Sequence, residues 1–218
     1  MRAHYHIKDL IFFVRQRSSD IPILREVIEN ETYFAGDFFT ISGGDIVVDI
    51  GAHIGSFSIL AASKGAAVIS YEPITINFDL LKDNVDINGF PVSIYKKAVR
   101  GECGKDVIYI RPFNYGGTSF FNTPTLDPEF REEVEYIDLA TVFSENHIDH
   151  IDFLKLDCEH SEYEILDGGK DLLPKIDKIA IEWMGGVRRK ELRDLLKPDY
   201  NLIERGEDPM GIMLAKRK

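Results

Sequence analysis

A chain of 218 residues with a formal net charge of −11 is long enough for a substantial core, and its acidity weighs against tight non-specific nucleic-acid binding, which relies on Lys and Arg to neutralise phosphates. Cys103 and Cys158 stand far apart with no C-x-x-C partner, which argues against a disulfide framework or a zinc site. The apolar runs are far too short to span a bilayer, and an N-terminus with only Leu10–Val14 apolar makes a poor signal peptide, so a soluble, cytoplasmic protein with no membrane partner is expected. No linker, repeat or charge block divides the chain. One α/β domain over 45–218 is expected after a helical extension and lead-in over 1–44.

In chain order, Ile21, Leu24, Val27 and Ile28 recur at helical spacing, with Pro22 suited to a first turn. An aromatic-rich stretch, Tyr33–Ile41, leads to the turn Ser42-Gly43-Gly44. The alternation that follows predicts strand Ile46–Ile50, helix Ser56–Ser63, strand Ala67–Tyr71, helix Ile76–Asn88 closed by Gly89, and strand Val92–Lys96. Repeated β–α units with short turns imply a parallel sheet with helices on both faces. Gly101–Thr141 breaks the rhythm. Val107–Ile110 and Val134–Ile137 read as short strands around a loop at Asn114–Pro128 rich in Gly, Asn, Thr and Pro, and a helix near Leu139–Asn146 follows. Strand Ile151–Leu156, helix Glu162–Leu173, strand Lys178–Glu182 and helix Val187–Leu196 resume the alternation. Tyr200–Glu204 and Gly211–Ala215 close it as an antiparallel pair. The basic runs Arg188-Arg189-Lys190 and Lys216-Arg217-Lys218 read as a solvated helix turn and a terminus.

The densest chemical signal is Val47-Val48-Asp49-Ile50-Gly51-Ala52-His53-Ile54-Gly55. A β-branched run ends in an acid, and two glycines four apart open a helix, which is the geometry that holds a nucleoside-bearing cofactor against open backbone N–H groups. A dinucleotide fingerprint needs a further glycine where His53 stands, so no pyrophosphate cradle is expected. Glu72 ends the second strand about 20 residues on, where a carboxylate suits both hydroxyls of a ribose. Asn77 in the next helix reads equally as a contact or a helix-start polar residue. Lys155-Leu156-Asp157-Cys158-Glu159-His160-Ser161-Glu162 is the second cluster. Continued as a strand, it puts Lys155, Asp157 and Glu159 on one face. The alternative is that Glu159 or Ser161 caps the next helix, that Lys155 neutralises Asp157, and that Cys158 is a small buried residue. Glu182 ends a third strand on the same edge. Ligands in open α/β sheets lie at the carboxyl ends of the strands where the winding reverses, so Asp49 and Gly51 are expected to face Asp157 and Glu159.

Together these motifs resemble one family. VVDIGAHIGSFSI, YEP with NFDLLKDNVDING, LKLDCEHSEYEILDGG and IEW are similar to the FkbM-type S-adenosylmethionine (SAM) methyltransferases of class I, over roughly Asp37 to Trp183. The resemblance implies a Rossmann-like fold with a seven-stranded, mostly parallel sheet in the order 3-2-1-4-5-7-6. It also implies SAM as cofactor and methyl transfer to an acceptor that is typically a hydroxyl on a sugar, glycan or secondary metabolite. The cofactor contacts it implies are Asp49, Gly51, Ala52, His53, Gly55, Glu72, Pro73, Asn77, Ala98 and Asp157. Asp157, Glu159, Glu182 and His160 are the candidates for catalysis, His160 because imidazole takes up protons near neutrality. Two positions depart from the family pattern: His160 replaces a usual glycine, and Met184 stands where the E-x-H motif has histidine. A divalent ion would suit Asp157, Glu159 and Glu182 as oxygen ligands, but strand-end acids often serve without one, and no metal is expected. The rival readings are a tRNA-type RNA methyltransferase and a SAM- or nucleotide-binding scaffold without catalysis. The acidic charge disfavours the first, and the retained acids disfavour the second. Phe113–Phe120 is expected to overhang the site.

Overall fold

The computed structural model describes residues 2–110 and 131–218. The lead-in is not simply helical. It opens with a hairpin in which β1 (Arg2–Ile7) pairs antiparallel with β2 (Leu10–Arg15). Leu10, Phe12 and Val14 point to the core while Ile11, Phe13 and Arg15 are only half-buried, a period of two that the unbroken apolar letters of LIFFV conceal. The expected helix follows as α1 (Asp20–Leu24), continued by a π-helical turn at Arg25–Glu29.

The alternating core then runs β3 (Ile46–Ile50), α2 (Ser56–Ser63), β4 (Ala67–Tyr71), α3 (Thr75–Asn88) and β5 (Val92–Tyr95). Gly89 closes α3 at φ 68°, the left-handed conformation a helix end favours in glycine. β6 (Ala98–Val99), β7 (Gly104–Tyr109) and β8 (Arg131–Ile137) form a separate small sheet in the order β6-β8-β7. The loop expected at Asn114–Pro128, and with it Phe113–Phe120, lies outside the described residues. The chain continues with α4 (Leu139–Glu145), β9 (Ile151–Leu156), α5 (Glu162–Gly168), a 3₁₀ turn (Lys170–Lys175), β10 (Ile176–Met184), α6 (Gly186–Leu196), β11 (Tyr200–Glu207) and β12 (Met210–Arg217). The helix expected over Glu162–Leu173 thus breaks into two pieces at Gly168-Gly169.

The main sheet has seven strands in the order β11-β12-β10-β9-β3-β4-β5. Numbered by appearance, that is the expected 3-2-1-4-5-7-6 order read from the other edge. β12 runs antiparallel to both β10 and β11, and the other pairings are parallel. The winding reverses between β3 and β9, whose carboxyl ends meet at the pair Ile50 and Leu156.

Both faces of the sheet are covered by apolar side chains. On one face Val47, Phe153 and Ala180 share a cluster with Phe12 and Val14 of the hairpin and Leu24 and Ile28 of the lead-in helix, so the lead-in has no core apart from the sheet's. The hairpin is also tied to α3 by two asparagines one helical turn apart. Asn84 Oδ1 accepts the Phe13 N–H at 2.6 Å, and Asn88 Oδ1 accepts the Ile11 N–H at 3.1 Å. Their amide groups return donors to the carbonyls of the same two residues. Side-chain amides thus satisfy the edge of β2 where another strand would otherwise be needed.

Candidate active site

The turn after β3 is shaped by one close approach. Gly51 has φ 79°, and a Cβ there would sit 1.9 Å from the Asp157 carbonyl oxygen, so any side chain would push β3 and β9 apart. Gly55, at φ 91°, starts α2 against Leu81. His53 between them is also left-handed, at φ 52°. The position that lacks the dinucleotide glycine therefore still adopts a conformation glycine favours.

A cavity of about 330 Å³ opens where the winding reverses. The glycine turn contributes Gly51, Ala52 and His53 to its wall, the end of β4 contributes Glu72 and Pro73, and α3 contributes Asn77. Ala98 of β6 lines it as well. Asp157 and Glu159 close it from the end of β9, and Glu182 and Met184 from β10. The lead-in supplies a further wall, with Ser19, Ile23, Glu26, Val27 and Tyr33. Asp49, Gly55 and His160 do not line it.

Asp49 acts one layer below the cavity. Its buried carboxylate accepts the Ser58 hydroxyl at 2.5 Å, and the Lys155 ammonium lies 3.1 Å from its other oxygen. Lys155 also donates to the Gly51 carbonyl at 2.7 Å and sits 3.6 Å from Asp157. Burial alone would lower the Lys155 pKa, but Asp49 and Asp157 outweigh it and raise the value above that of a free lysine. One buried cation thus ties the carboxyl ends of β3 and β9 together.

Glu72 is buried with both oxygens engaged. Oε2 accepts the His53 N–H at 2.9 Å, and Oε1 accepts the Ile74 N–H at 2.9 Å and the Asn77 amide at 3.2 Å. Burial pushes its carboxyl up to about 7, against the pull of those donors. Asn77 therefore orients Glu72, and it also accepts the Arg15 guanidinium at 2.7 Å. Arg15 is held in turn by the buried Asp20, to which Nη2 and Nε donate at 2.7 and 3.0 Å.

On the opposite wall the acids do not continue the strand. β9 ends at Leu156, the Asp157 N–H is taken by the Ile50 carbonyl, and Glu159 and His160 both have positive φ, at 52° and 84°. The expected common face of Lys155, Asp157 and Glu159 is lost because the chain turns sharply to enter α5. The residue that supports this turn is Glu162, which accepts the Cys158 N–H at 2.9 Å; Ser161 makes no side-chain cap. Cys158 is half-buried and lines the cavity.

Asp157 and Glu182 form a coupled pair. Negative charge on Asp157, then burial, raises the Glu182 carboxyl well above its ordinary range, so Glu182 carries the proton and donates it to Asp157. Burial would raise Asp157 too, but Lys155, the Glu182 bond and the Tyr33 hydroxyl hold it below the usual carboxylate value. Tyr33 donates to Asp157 at 2.8 Å, and its ring covers Lys155 with the ammonium 5.6 Å from the centroid. In sequence Tyr33 stands only at the head of the aromatic stretch Tyr33–Ile41, and nothing local marks Arg15 or Asp20 as partners of the site.

The carboxyl oxygens of Asp157, Glu159 and Glu182 do not gather within 4.8 Å of one another. Among the described residues the one three-member group that does is His150, Asp152 and Asp177, which lies at the amino ends of β9 and β10, remote from the cavity. Arg217 already pairs with its Asp177 at 2.8 Å.

Comparison with known proteins agrees with this architecture. The M. jannaschii TYW2 structure in complex with AdoMet superposes with a TM-score of 0.52 at 13% identity, covering 100% of this chain and 87% of that one. The Pyrococcus abyssi tRNA (uracil-54, C5)-methyltransferase in complex with S-adenosyl-L-homocysteine gives a TM-score of 0.53 at 12% identity, covering 100% and 44%. At such identities the likeness is one of fold, that of the class I methyltransferases. In sequence, the 31-O-demethyl-FK506 methyltransferase FkbM of Streptomyces tacrolimicus is 26% identical, over 83% of this chain and 76% of the relative. The hexuronic acid methyltransferase AglP of Haloferax volcanii is 24% identical over 70% of this chain, which spans 61% of the length of AglP. The family model for the methyltransferase FkbM domain matches residues 49–200, and the chain belongs to the FkbM family of methyltransferases.

Proposed function

We propose that this protein is a SAM-dependent methyltransferase that methylates a hydroxyl oxygen on a sugar, glycan or secondary metabolite. The observation that carries the reading is the polarity of the cavity, which has a buried carboxylate, Glu72, at the end of β4 and a proton-sharing acid pair, Asp157 and Glu182, across from it. The residues present fit the cofactor. Glu72 suits the two ribose hydroxyls, Gly51 and Ala52 add wall with little side chain, their N–H groups being held by the Tyr71 carbonyl, and Pro73 and Ala98 add apolar surface. Relatives named for methylating 31-O-demethyl-FK506 and hexuronic acid support a small-molecule or glycan acceptor.

SAM supplies an activated methyl group on a sulfonium, which leaves the protein with placement and proton removal. Placement of an acceptor in line is worth up to about 7–11 kcal/mol. For the proton, the acid pair is the candidate. Glu182 must first release to solvent the proton it shares with Asp157; its carboxylate then accepts the hydroxyl proton as the oxygen is alkylated, while Asp157, fixed by Lys155 and Tyr33, stays anionic. Glu159, half-buried, lines the same cavity.

Titration calorimetry with SAM, S-adenosylhomocysteine and NAD tests the cofactor, with binding of the first two and none of NAD expected. A labelled-methyl screen over alcohol acceptors then tests the reaction, and Glu182→Gln is expected to lower turnover by about 100-fold or more without weakening cofactor binding. Absence of SAM binding at millimolar ligand refutes the proposal.

A further inference from the structure

Met184, the departure from the E-x-H pattern, is the last residue of β10. It lies two residues beyond Glu182 on the same side of the strand, with Trp183 between them turned into the buried core. Glu182 and Met184 both line the cavity. Met184 pairs in register with Met210, the first residue of β12, which lines the cavity as well and is 48% exposed. Side chains directly opposite one another on antiparallel strands share a face, about 5 Å apart. The two thioethers therefore form one apolar patch that runs from beside Glu182 out to solvent. Its backbone is fixed. Gly211 lies against the Trp183 indole, where a Cβ would be 2.6 Å from Cζ2, and the Gly185 N–H donates to the Pro209 carbonyl at 2.6 Å.

Position along the strand decides what this patch meets. An acceptor whose hydroxyl reaches Glu182 lays the rest of its molecule along the following residues, and two residues of strand advance by about 7 Å. The carbon skeleton around the hydroxyl then falls on Met184 and Met210. Thioethers are polarizable and adapt to irregular apolar shapes, but they donate no hydrogen bond and accept only weakly. A sugar, with a hydroxyl on nearly every carbon, would lose water there without replacement. Charge points the same way. Among the described residues no arginine lines the cavity, and its two lysines are committed, Lys97 to Glu145 at 2.8 Å and Lys155 to Asp49 and Asp157. An acceptor with its own carboxylate would meet the Asp157 anion without gaining a counter-ion.

We propose that Met184 and Met210 select the acceptor, and that they select an alcohol carried on an uncharged, apolar carbon skeleton over a free sugar or a uronic acid. The inference rests on the hydroxyl-methylation reading above and narrows it to one acceptor class. On this reading Met184 changes which molecule is methylated, and Glu182 keeps the proton chemistry.

The test reads the two side chains directly. The full chain is labelled with carbon-13 at the methionine methyls, saturated with S-adenosylhomocysteine and titrated with three six-membered-ring alcohols: 4-tert-butylcyclohexanol, methyl glucoside and glucuronate. The apolar alcohol is expected to shift the Met184 and Met210 signals, to leave that of the fully buried Met213 in place, and to bind about tenfold or more tightly than either sugar. Met184→Gln and Met210→Gln keep the length of the side chain and replace the thioether with an amide. Each is expected to weaken the apolar alcohol about three- to tenfold, with binding of S-adenosylhomocysteine unchanged as the check on folding. A sugar that binds as tightly as the apolar alcohol overturns the inference. So does an absence of shifts at both methyls with millimolar 4-tert-butylcyclohexanol, or a preference that survives both substitutions. If S-adenosylhomocysteine itself does not bind, the cofactor reading fails and takes this inference with it, a result distinct from the others.

Discussion

The two walls of the cavity are built by different means. The wall formed by the glycine turn and Glu72 comes from residues close in sequence, and its parts are set by φ angles, a strand end and one helical turn. The wall formed by Tyr33 and Ser19, with Arg15 behind it, comes from a lead-in that reaches the site only because its hairpin packs on α3 and its helix packs on the sheet. Lys155 joins the two systems, since it holds Asp49 and Gly51 on the first side and Asp157, beneath Tyr33, on the second. A contrast of this kind can be tested by removing the joint first and then one member of each wall.

Lys155→Met is expected to have the largest effect. It keeps most of the side-chain volume but leaves Asp49 buried without its cation, and breaking such a pair costs about 3–5 kcal/mol. Urea unfolding measures the loss. A change under 1 kcal/mol would mean that the walls do not depend on a common joint.

Glu72→Ala comes next and acts on the local wall. Loss of two bonds from ribose hydroxyls to a carboxylate is expected to weaken S-adenosylhomocysteine by about 100-fold or more. In the wild type the same residue predicts a pH dependence. Glu72 titrates near 7 in the ligand-free protein, and only its ionised form accepts both hydroxyls, so affinity should rise with pH through about 7 and level off above it. Glu72→Ala should flatten that rise. A wild-type affinity independent of pH between 6 and 8 would remove Glu72 from the ribose role.

Much of the first wall was legible because its chemistry and its spacing coincide. Gly51, Gly55 and Glu72 lie within one β–α–β unit, and the strand-order reversal that brings Asp157 opposite them was implied by the family resemblance, since the alternation of elements alone leaves the strand order open. Asp49 was read as a cofactor contact because it shares the motif, but it lies beneath the cavity. Sequence proximity to a turn does not reveal which side of the strand end a carboxylate takes. Glu159 was assigned to a strand face because a period of two has no built-in stop, and the left-handed residues that end β9 carry side chains rather than glycine. The hairpin was missed because LIFFV is apolar throughout, and Arg15 and Tyr33 because their partners lie 62 and 124 residues away.

Tyr33→Phe probes the distant wall with a smaller change. The ring over Lys155 stays, and only the hydroxyl bond to Asp157 is lost. The expected cost is about 1–2 kcal/mol in stability, with the alkaline-rising limb of the turnover–pH profile shifted. The direction follows from the pair. With one donor fewer, negative charge on Asp157 is less stabilised, so the proton shared with Glu182 is held more tightly and the limb moves to higher pH. An unchanged profile would separate Tyr33 from the acid pair and leave the lead-in with a covering role only.

His160→Gly is expected to have the smallest effect, and it decides an open assignment. At φ 84° a side chain is strained, and glycine relieves about 1–2 kcal/mol of that strain while giving back about 0.5–1 kcal/mol in chain entropy. The net expectation is a gain of about 0.5–1 kcal/mol, seen as a higher urea midpoint. Because His160 stands off the cavity wall, turnover should stay within about twofold of wild type. A general base would give the opposite pattern, with unchanged or improved stability but turnover down by about 100-fold or more. That outcome would require the turn after β9 to swing His160 into the cavity, and it would move proton removal away from Glu182 to a residue whose position depends on that turn.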